Sequence, residues 1–456
     1  MVARRAFLAV LCVLPASASL LLAAAAPTLP AFPGAEGFGA VATGGRGGRV
    51  IKVTTLDASG PGSLQAAVQA KGPRIVVFDT SGVIRGNATI TEPDLTIAGQ
   101  TAPGAGITIE GMLVTRYRIE PPVSNVIIRF LRVRPRPVKG KSVSGDCLQI
   151  TRTDRLIIDH VSCSWGSDEN VDLCGSSNVT VQWCAIEESD PAGHVKGQHN
   201  YGMIVAYAPS RDITIHHNLF AHHQKRAPLI GCELVDHRNN VVYNFLLPFI
   251  FHGMENNPTR PGKPYRMNLV ADTFQSGPNV HGHMKGRAFD KLLYNRPNVH
   301  LYDEGNVCSW IDGRATSEAE PRAPKPWPAP AVETQSAMEA YELVLARAGC
   351  FPRDAVGKRM VEEVRQGTGS WGRHEPKGGL MEGLTPAKAP SDADNDGLPD
   401  AWEKAHGLNP ADPADVGGIV PAGASTGDRH KGYTWMEFHV NERADALVAR
   451  AVEEGG

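Results

Sequence analysis

The chain has 456 residues, with 46 lysines and arginines against 48 aspartates and glutamates and a formal net charge of −2. Such a balance leaves no basic footprint for nucleic acid or for an anionic membrane surface. Its 48 glycines and 34 prolines break the chain too often for long helices and favour many short strands. An elongated β architecture can absorb several hundred residues that length alone would divide into about three domains.

Residues 1–26 read as a secretory signal: Arg4 and Arg5 precede an apolar run from Ala6 that ends in small residues at Ala26. The run is also long enough to span a bilayer if Pro15 is tolerated, so an uncleaved anchor is the competing reading. The proline and the alanine-rich exit favour cleavage near Ala26. The mature chain is expected to be secreted, to the periplasm or the extracellular space, and free of the membrane once the signal is gone. Beyond Cys12 there are seven cysteines, at 147, 163, 174, 184, 232, 308 and 350. An odd number leaves at least one thiol free, and no CxxC pair is present for zinc.

From about residue 50 one unit recurs, a short β-branched or aliphatic run bounded by Asn, Asp or Gly. RIVVF at 74–78, DLTIA at 94–98, NVIIRF at 125–130, RLIIDH at 155–160, NVTVQW at 178–183, DITIHH at 212–217 and NNVVY at 239–243 are examples. They start some twenty to thirty-five residues apart, a period that signals a solenoid. Long amphipathic helices do not intervene, which argues against the βα units of a barrel or doubly wound sheet. Polar residues opening the runs fit coils that turn at one corner, where stacked side chains bond the bend. Stacking then buries an aliphatic core that no single coil could form. The expected fold is all-β, a right-handed parallel β-helix over residues 50 to about 305 within a catalytic domain at 27–310. A jelly roll or sandwich would show more hairpin turns and stricter polar alternation.

The proline-rich stretch at 319–332 reads as an extended segment. Helical spacing follows at 334–348, with Leu343, Val344 and Leu345, and at 353–366, with Val356, Met360 and Val364. Both helices are expected against the outside of the solenoid, in an extension spanning 311–390 whose last part, 367–390, reads as a Gly-, Pro- and Lys-rich linker.

The tail at 391–456 opens with DADNDGLPDAWE at 392–403. Asp392, Asp394, Asp396, Asp400 and Glu403 fall at positions one, three, five, nine and twelve of an EF-hand-like calcium loop, with Gly397 making the bend and Leu398 offering its carbonyl. A hard cation needs several oxygens converging from one tight turn, and this spacing supplies them. The bland alternative is an acidic linker with accidental periodicity. Helices at 401–406 and 433–443 would complete a small tail that orders the C-terminus and does no chemistry.

In the middle of the chain Asp146, Asp168, Asp172, Lys196 and Arg226 each stand beside a β-branched run. One aspartate in a loop is usually a solvated turn residue; the order and context of all five carry the argument. Three acids and two basic residues on one face are the minimum equipment for opening a uronic-acid polymer by β-elimination. The C5 proton is very weakly acidic while the adjacent carboxylate keeps its charge, so a calcium ion neutralises that carboxylate and cationic side chains stabilise the developing carbanion.

With FPGAEGFGAVATGGRGG, SGPGSL, IAGQTAPG, IDHVSCSWGSDENVDL, HVKG and HHNLFAHHQKRAP, the chain resembles the pectate lyase family over roughly residues 32–250. The resemblance implies a parallel β-helix, a calcium cofactor, a polygalacturonate substrate and unsaturated oligogalacturonide products. It implies that Asp146, Asp168 and Asp172 hold the catalytic calcium, that Lys196 binds substrate and that Arg226 is the base. Two positions depart from the family: a further arginine falls on Gly231, with Arg238 as a possible substitute in substrate binding, and an additional acid is replaced by Ser144. His194 and His199 flank Lys196 and are candidates for the cleft wall. His216, His217, His222 and His223 are adjacent pairs whose members face opposite ways on a strand, which disfavours zinc, and Trp165 and Trp183 favour the core over sugar stacking. The function expected is a secreted monomeric calcium-dependent lyase of demethylated α-1,4-galacturonan. A β-helix glycoside hydrolase of the polygalacturonase type, using Asp168 and Asp172 as acid and base, and a noncatalytic glycan-binding solenoid are the rivals.

Overall fold

The structure is a computed structural model that describes residues 29–453 except 116–119, 137–144, 193, 195–196, 198, 252–263, 280–292, 295–298, 310–314 and 317–322. The signal, Ser144 and Lys196 therefore lie outside the described residues. Each coil gives one short strand to each of three sheets. Among the described residues the first sheet has ten strands from Arg49–Val53 to Val299–Glu304 and the second ten from Gly82–Ile84 to Ala315–Thr316; the third has eight, from Ala88–Ile90 to Leu293–Tyr294. Pairing is parallel throughout except where the last strand of the second sheet turns back on Val307–Ser309. The fold is the right-handed parallel β-helix expected from the repeats.

The β-branched runs form strands because both faces are covered, so an unbroken apolar run is satisfied by stacking on its neighbours. Leu95, Val126, Leu156, Val179, Ile213, Val235, Met267 and Leu301 stand in register on successive strands of the first sheet. All are buried, each worth about 1.5–3 kcal/mol relative to exposure. Polar residues make the corners. Asn125, Arg155, Asn178 and Asp212 adopt φ of 60, 56, 52 and 57° where the runs open. Asn125 donates to Asp94 and Asn178 to Asp154, both at 2.7 Å. A second ladder at the closing corner went unread in the sequence: the backbone N–H groups of Asn218, Asn240 and Asp272 donate to Asn240, Asp272 and Asn306 at 3.0, 2.7 and 2.8 Å. All seven described cysteines are buried.

The N-terminal glycine-rich string lies over the outer face of the first sheet. Gly39 N–H donates to Thr180 Oγ1 at 2.8 Å and Gly45 N–H to Thr96 Oγ1 at 3.0 Å. A Cβ at Gly39 would sit 2.2 Å from the Leu156 carbonyl oxygen, so only glycine permits this approach.

After a short helix, α1 (Leu64–Val68), two helices follow the solenoid, α2 (Ala337–Arg347) and α3 (Ala355–Gln366). Ser336 and Glu339 form a capping box at α2, and Asp354 caps α3. Val344, Leu345, Met360 and Val364 pack on Leu219, Ala221, Val241 and Tyr243, outside the second sheet. Buried Arg134 pairs with Asp354 and, at 3.3 Å, with Glu187, tying the extension to the coils.

Part of the expected linker is instead a strap. Residues 368–374 cross several coils: Tyr243 Oη donates to Thr368 O at 2.6 Å, Trp371 Nε1 to Asn244 O at 2.6 Å and Arg373 to Pro135 O at 2.9 Å, while His374 contacts Glu188 at 2.7 Å. Glycine and proline content reports turns and is silent about where Trp371, Arg373 and His374 dock.

The tail forms α4 (Asp400–His406) and α5 (Trp435–Glu453), the latter longer than the spacing suggested. Leu398, Met436 and Val440 cover Ile75, Val77 and Ala98 on the first coils. No helix among the described residues is long and apolar enough to cross a membrane.

Candidate active site

The site lies on neighbouring strands of the third sheet, Leu148–Gln149, Glu169–Asp172, Tyr201–Val205 and Leu229–Ile230. Asp146 stands just before the first of these, buried, with Oδ1 accepting from Glu169 N–H at 3.0 Å and Oδ2 from Gln149 Nε2 at 2.9 Å. Asp146, Asp168 and Glu169 each present an oxygen within 4.8 Å of the others. Asp172 closes the same strand, beside Gln149 in register, and its Oδ1 accepts from Cys174 N–H at 2.8 Å. Burial pushes the Asp146 carboxyl well above the usual carboxylate range, and Asp172 and Asp168 push it the same way. Burial likewise raises Asp172. Crowded, partly desolvated carboxylates of this kind gain from a shared cation, and an all-oxygen acid set fits a hard one such as calcium.

Arg226 reaches this cluster from two coils further on, across the coil that carries Tyr201. Its backbone turns through φ 63° where the chain enters the third sheet, held by Met203 N–H donating to its carbonyl at 2.6 Å and by its own N–H donating to Leu247 O at 3.2 Å. The guanidinium pairs with Glu169 and stacks 4.0 Å over the Tyr201 ring. Burial lowers its pKa from the ordinary arginine value, while the charges of Asp168 and Asp146 work the other way. His194 Nε2 is 3.3 Å from Asp168 Oδ2 and His199 Nε2 3.8 Å from Oδ1, with the two imidazole rings 3.6 Å apart.

The structure thus brings Asp146, Asp168, Asp172, Arg226, His194 and His199 to one place. It does not bring Arg238. That residue ends a strand of the first sheet, forked on Asp236 at 2.5 and 2.9 Å and bonded to Thr334 at 3.0 Å. Its guanidinium is committed on another face, which removes it as a stand-in for the arginine missing at Gly231. Two residues of the site went unread in the sequence. Glu169 was hidden between Asp168 and Asp172, and Tyr201 opens a run that reads as ordinary strand; Glu169 and Tyr201 are partners in register.

The histidine pairs are structural. His217 stacks on Trp183 at 4.3 Å, in a column with Phe130 and His160, and His223 bonds Ile186 O and Ser189 Oγ at 2.8 Å each. His222 lies 3.1 Å from Glu363. Trp165 is buried with its N–H donated to Glu188 at 2.8 Å, a core residue as expected.

In the tail, oxygens of Asp392, Asp394 and Asp396 lie within 4.8 Å of one another, as do those of Asp396, Glu403 and Asp415. Asp400 is not among them: its oxygens accept from Ser391 Oγ at 2.6 Å and Ala393 N–H at 2.7 Å. It braces the loop from outside, because a residue at the start of α4 caps the turn before it. Burial pushes Glu403 up to about 7 and Asp396 up to about 6, with repulsion among the acids adding to both.

A family model described as pectate lyase matches residues 10–255. A probable pectate lyase C of Aspergillus fumigatus is 33% identical over 448 residues, covering 91% of this chain and 94% of that protein. The chain belongs to the pectate lyase family. A probable pectate lyase C of Neosartorya fischeri is 32% identical over 461 residues, with 93% and 97% covered. Among solved structures, a pectate lyase from Bacillus sp. N165 in complex with trigalacturonate is 19% identical, with a TM-score of 0.46 and coverage of 70% of this chain and 99% of that one. As a pectate lyase family member, the protein is a polysaccharide lyase.

Proposed function

We propose that this protein is a secreted, calcium-dependent pectate lyase that cleaves α-1,4-linked galacturonan by β-elimination and leaves unsaturated oligogalacturonides. The observation that carries this reading is a half-buried arginine, Arg226, set against Asp146, Asp168 and Glu169 on one sheet face. Asp146, Asp168 and Asp172, joined by Glu169, would hold the calcium, which supplies neutralisation of the uronate carboxylate beside the reacting carbon.

Arg226 removes the C5 proton; the C–H electrons form the C4–C5 double bond, and the C4–O bond breaks with its electron pair leaving on the glycosidic oxygen, which takes a proton from water to become the hydroxyl of the departing chain. For that step the guanidinium must give up a proton, which burial favours and the charges of Asp168 and Asp146 oppose. Burial already outweighs those charges, and neutralising the carboxylates would weaken the opposition further, so activity rises toward alkaline pH. Glu169 and the Tyr201 ring fix the guanidinium in the meantime. His194 and His199 line the wall beside Asp168 and orient its carboxylate. Lys196 is assigned to the substrate carboxylate by the family resemblance. Demethylated polymer is the substrate, since an ester leaves no charged carboxylate for the acid-held cation.

The test is polygalacturonate turnover followed by ultraviolet absorbance of the unsaturated product, with and without chelator. Absorbance that chelator abolishes supports the proposal. New reducing ends without absorbance would replace it with hydrolysis, and retention on polymer without either would replace it with glycan binding.

A further inference from the structure

Asp392, Asp394, Asp396 and Asp415 each have one oxygen occupied and one without a hydrogen-bond partner. Asp392 Oδ2 accepts from Lys52 Nζ at 2.6 Å and Gly397 N–H at 3.0 Å, Asp394 Oδ1 from Asp396 N–H at 3.3 Å, Asp396 Oδ1 from Leu398 N–H at 2.7 Å and Asp415 Oδ2 from Asn409 N–H at 3.0 Å. Their second oxygens are buried with no hydrogen-bond partner, and so are both oxygens of Glu403, whose side chain is fully buried. The two acid triads share Asp396, so the six orphaned carboxylate oxygens belong to one continuous acid cluster. Six crowded carboxylate oxygens without a partner, two of them on fully buried Glu403, carry a large desolvation and repulsion cost that a bound cation would offset.

We infer that the tail holds one calcium ion in a cage of five carboxylates, Asp392, Asp394, Asp396, Asp415 and a two-oxygen Glu403. The ion fastens the tail to the first coils, separately from any cation at the lyase site. Six protein oxygens suit calcium, which accepts six to eight at flexible geometry. Magnesium keeps several waters and fits poorly in an all-protein cage. The twelve-residue loop gives only four of the ligands. Asp415, set by a 3-10 turn at Asp415–Gly417, replaces the ninth-position residue Asp400, whose oxygens are otherwise engaged. The fastening follows from Asp392, which presents one oxygen to the cage and the other to Lys52 on the strand Arg49–Val53, where Lys52 also meets Asp79 at 2.8 Å. Leu398, at the end of the loop, is buried against Ile75 and Val77.

The experiment uses the mature full-length chain, stripped with chelator and then given calcium or magnesium, read by Tm and by limited proteolysis of residues 376–400. Calcium should raise Tm by about 2–6 °C and protect the segment, with magnesium doing neither at the same concentration. Asp415→Asn should lose the calcium shift while keeping turnover of polygalacturonate at saturating calcium. Asp400→Asn and the lyase-site variant Asp146→Asn should both keep the shift. A full shift in Asp415→Asn, loss of the shift in Asp400→Asn, or an equal response to magnesium would overturn the inference. Should Asp415→Asn fail to fold, terbium luminescence sensitised by Trp402 decides: Asp146→Asn must still bind the ion, and no signal there refutes the cage. Because the readouts are stability and luminescence, failure of the lyase reading would leave them unchanged.

Discussion

Two acid clusters in one chain are built on opposite rules. On the third sheet every described carboxylate has a protein partner: Asp146 takes Gln149 and Glu169 N–H, Glu169 takes Arg226, Asp172 takes Cys174 N–H and Asp168 faces His194 and His199. In the tail, six oxygens have none. A cluster already satisfied by its own chain can hold a cation loosely and release it with product. A cluster left unsatisfied demands one. Residue type does not separate the two clusters; the presence of buried carboxylate oxygens with no partner does.

The largest effect that tests this contrast is Arg226→Ala, expected to cut polygalacturonate turnover by about 10²–10⁴-fold with an unchanged far-ultraviolet dichroism spectrum. Near-normal turnover would remove Arg226 from the chemistry. Asp172→Asn should raise the calcium concentration for half-maximal activity by about 10–100-fold, by analogy with losses of metal-site support, while the calcium-induced gain in Tm stays as in the parent. If both move together, the two clusters are not independent. Titrating calcium into stripped protein sharpens the comparison further: the stability gain should saturate at lower free calcium than activity does. The reverse order would contradict the partner count on which the contrast rests.

Acid gives a smaller and more distributed effect. Burial lowers His217 and His223 to about 4 against an ordinary value of 6.5. The unfolded chain binds their protons first, so this contribution is complete above pH 6.5 and disappears as pH falls from 6.5 towards 4, by about 3 kcal/mol per histidine. Glu187, raised by burial to about 6, opposes this between pH 4.5 and 6, because there the folded form holds the extra proton. Tm measured from pH 8 to 4.5 should therefore fall mainly below about 6.5, and His223→Gln should flatten the fall. A Tm independent of pH over that range would show these histidines titrating normally.

The fold was legible because the signal was redundant: seven aliphatic runs at similar spacing allow one stacked core. The position of a residue around a coil was less legible. Arg238 and Arg226 are twelve residues apart, yet that distance is about half a coil, enough to move a side chain from the third sheet to the first. Glu169 was overlooked because the four-residue spacing of Asp168 and Asp172 drew the acid assignment past it, and its pairing with Arg226 depends on a coil two layers along the stack. Of the five acids that the loop spacing picks out, the structure gathers Asp392, Asp394, Asp396 and Glu403 and leaves Asp400 outside; a linear motif cannot report that a later turn returns Asp415 to the same cluster. The strap at 368–374 was missed for a similar reason, since its partners lie on several coils.

The return of the C-terminal residues to the opening coils has a consequence for synthesis. Coils can stack as they leave the ribosome, in the order they are made. The apolar outer face at Ile75, Val77 and Ala98 nevertheless waits for Leu398, Met436 and Val440. The earliest part of the solenoid is thus the last to be sheltered from water, and a transcript ending before codon 390 would yield a stacked but sticky product, open to self-association at its first-made end.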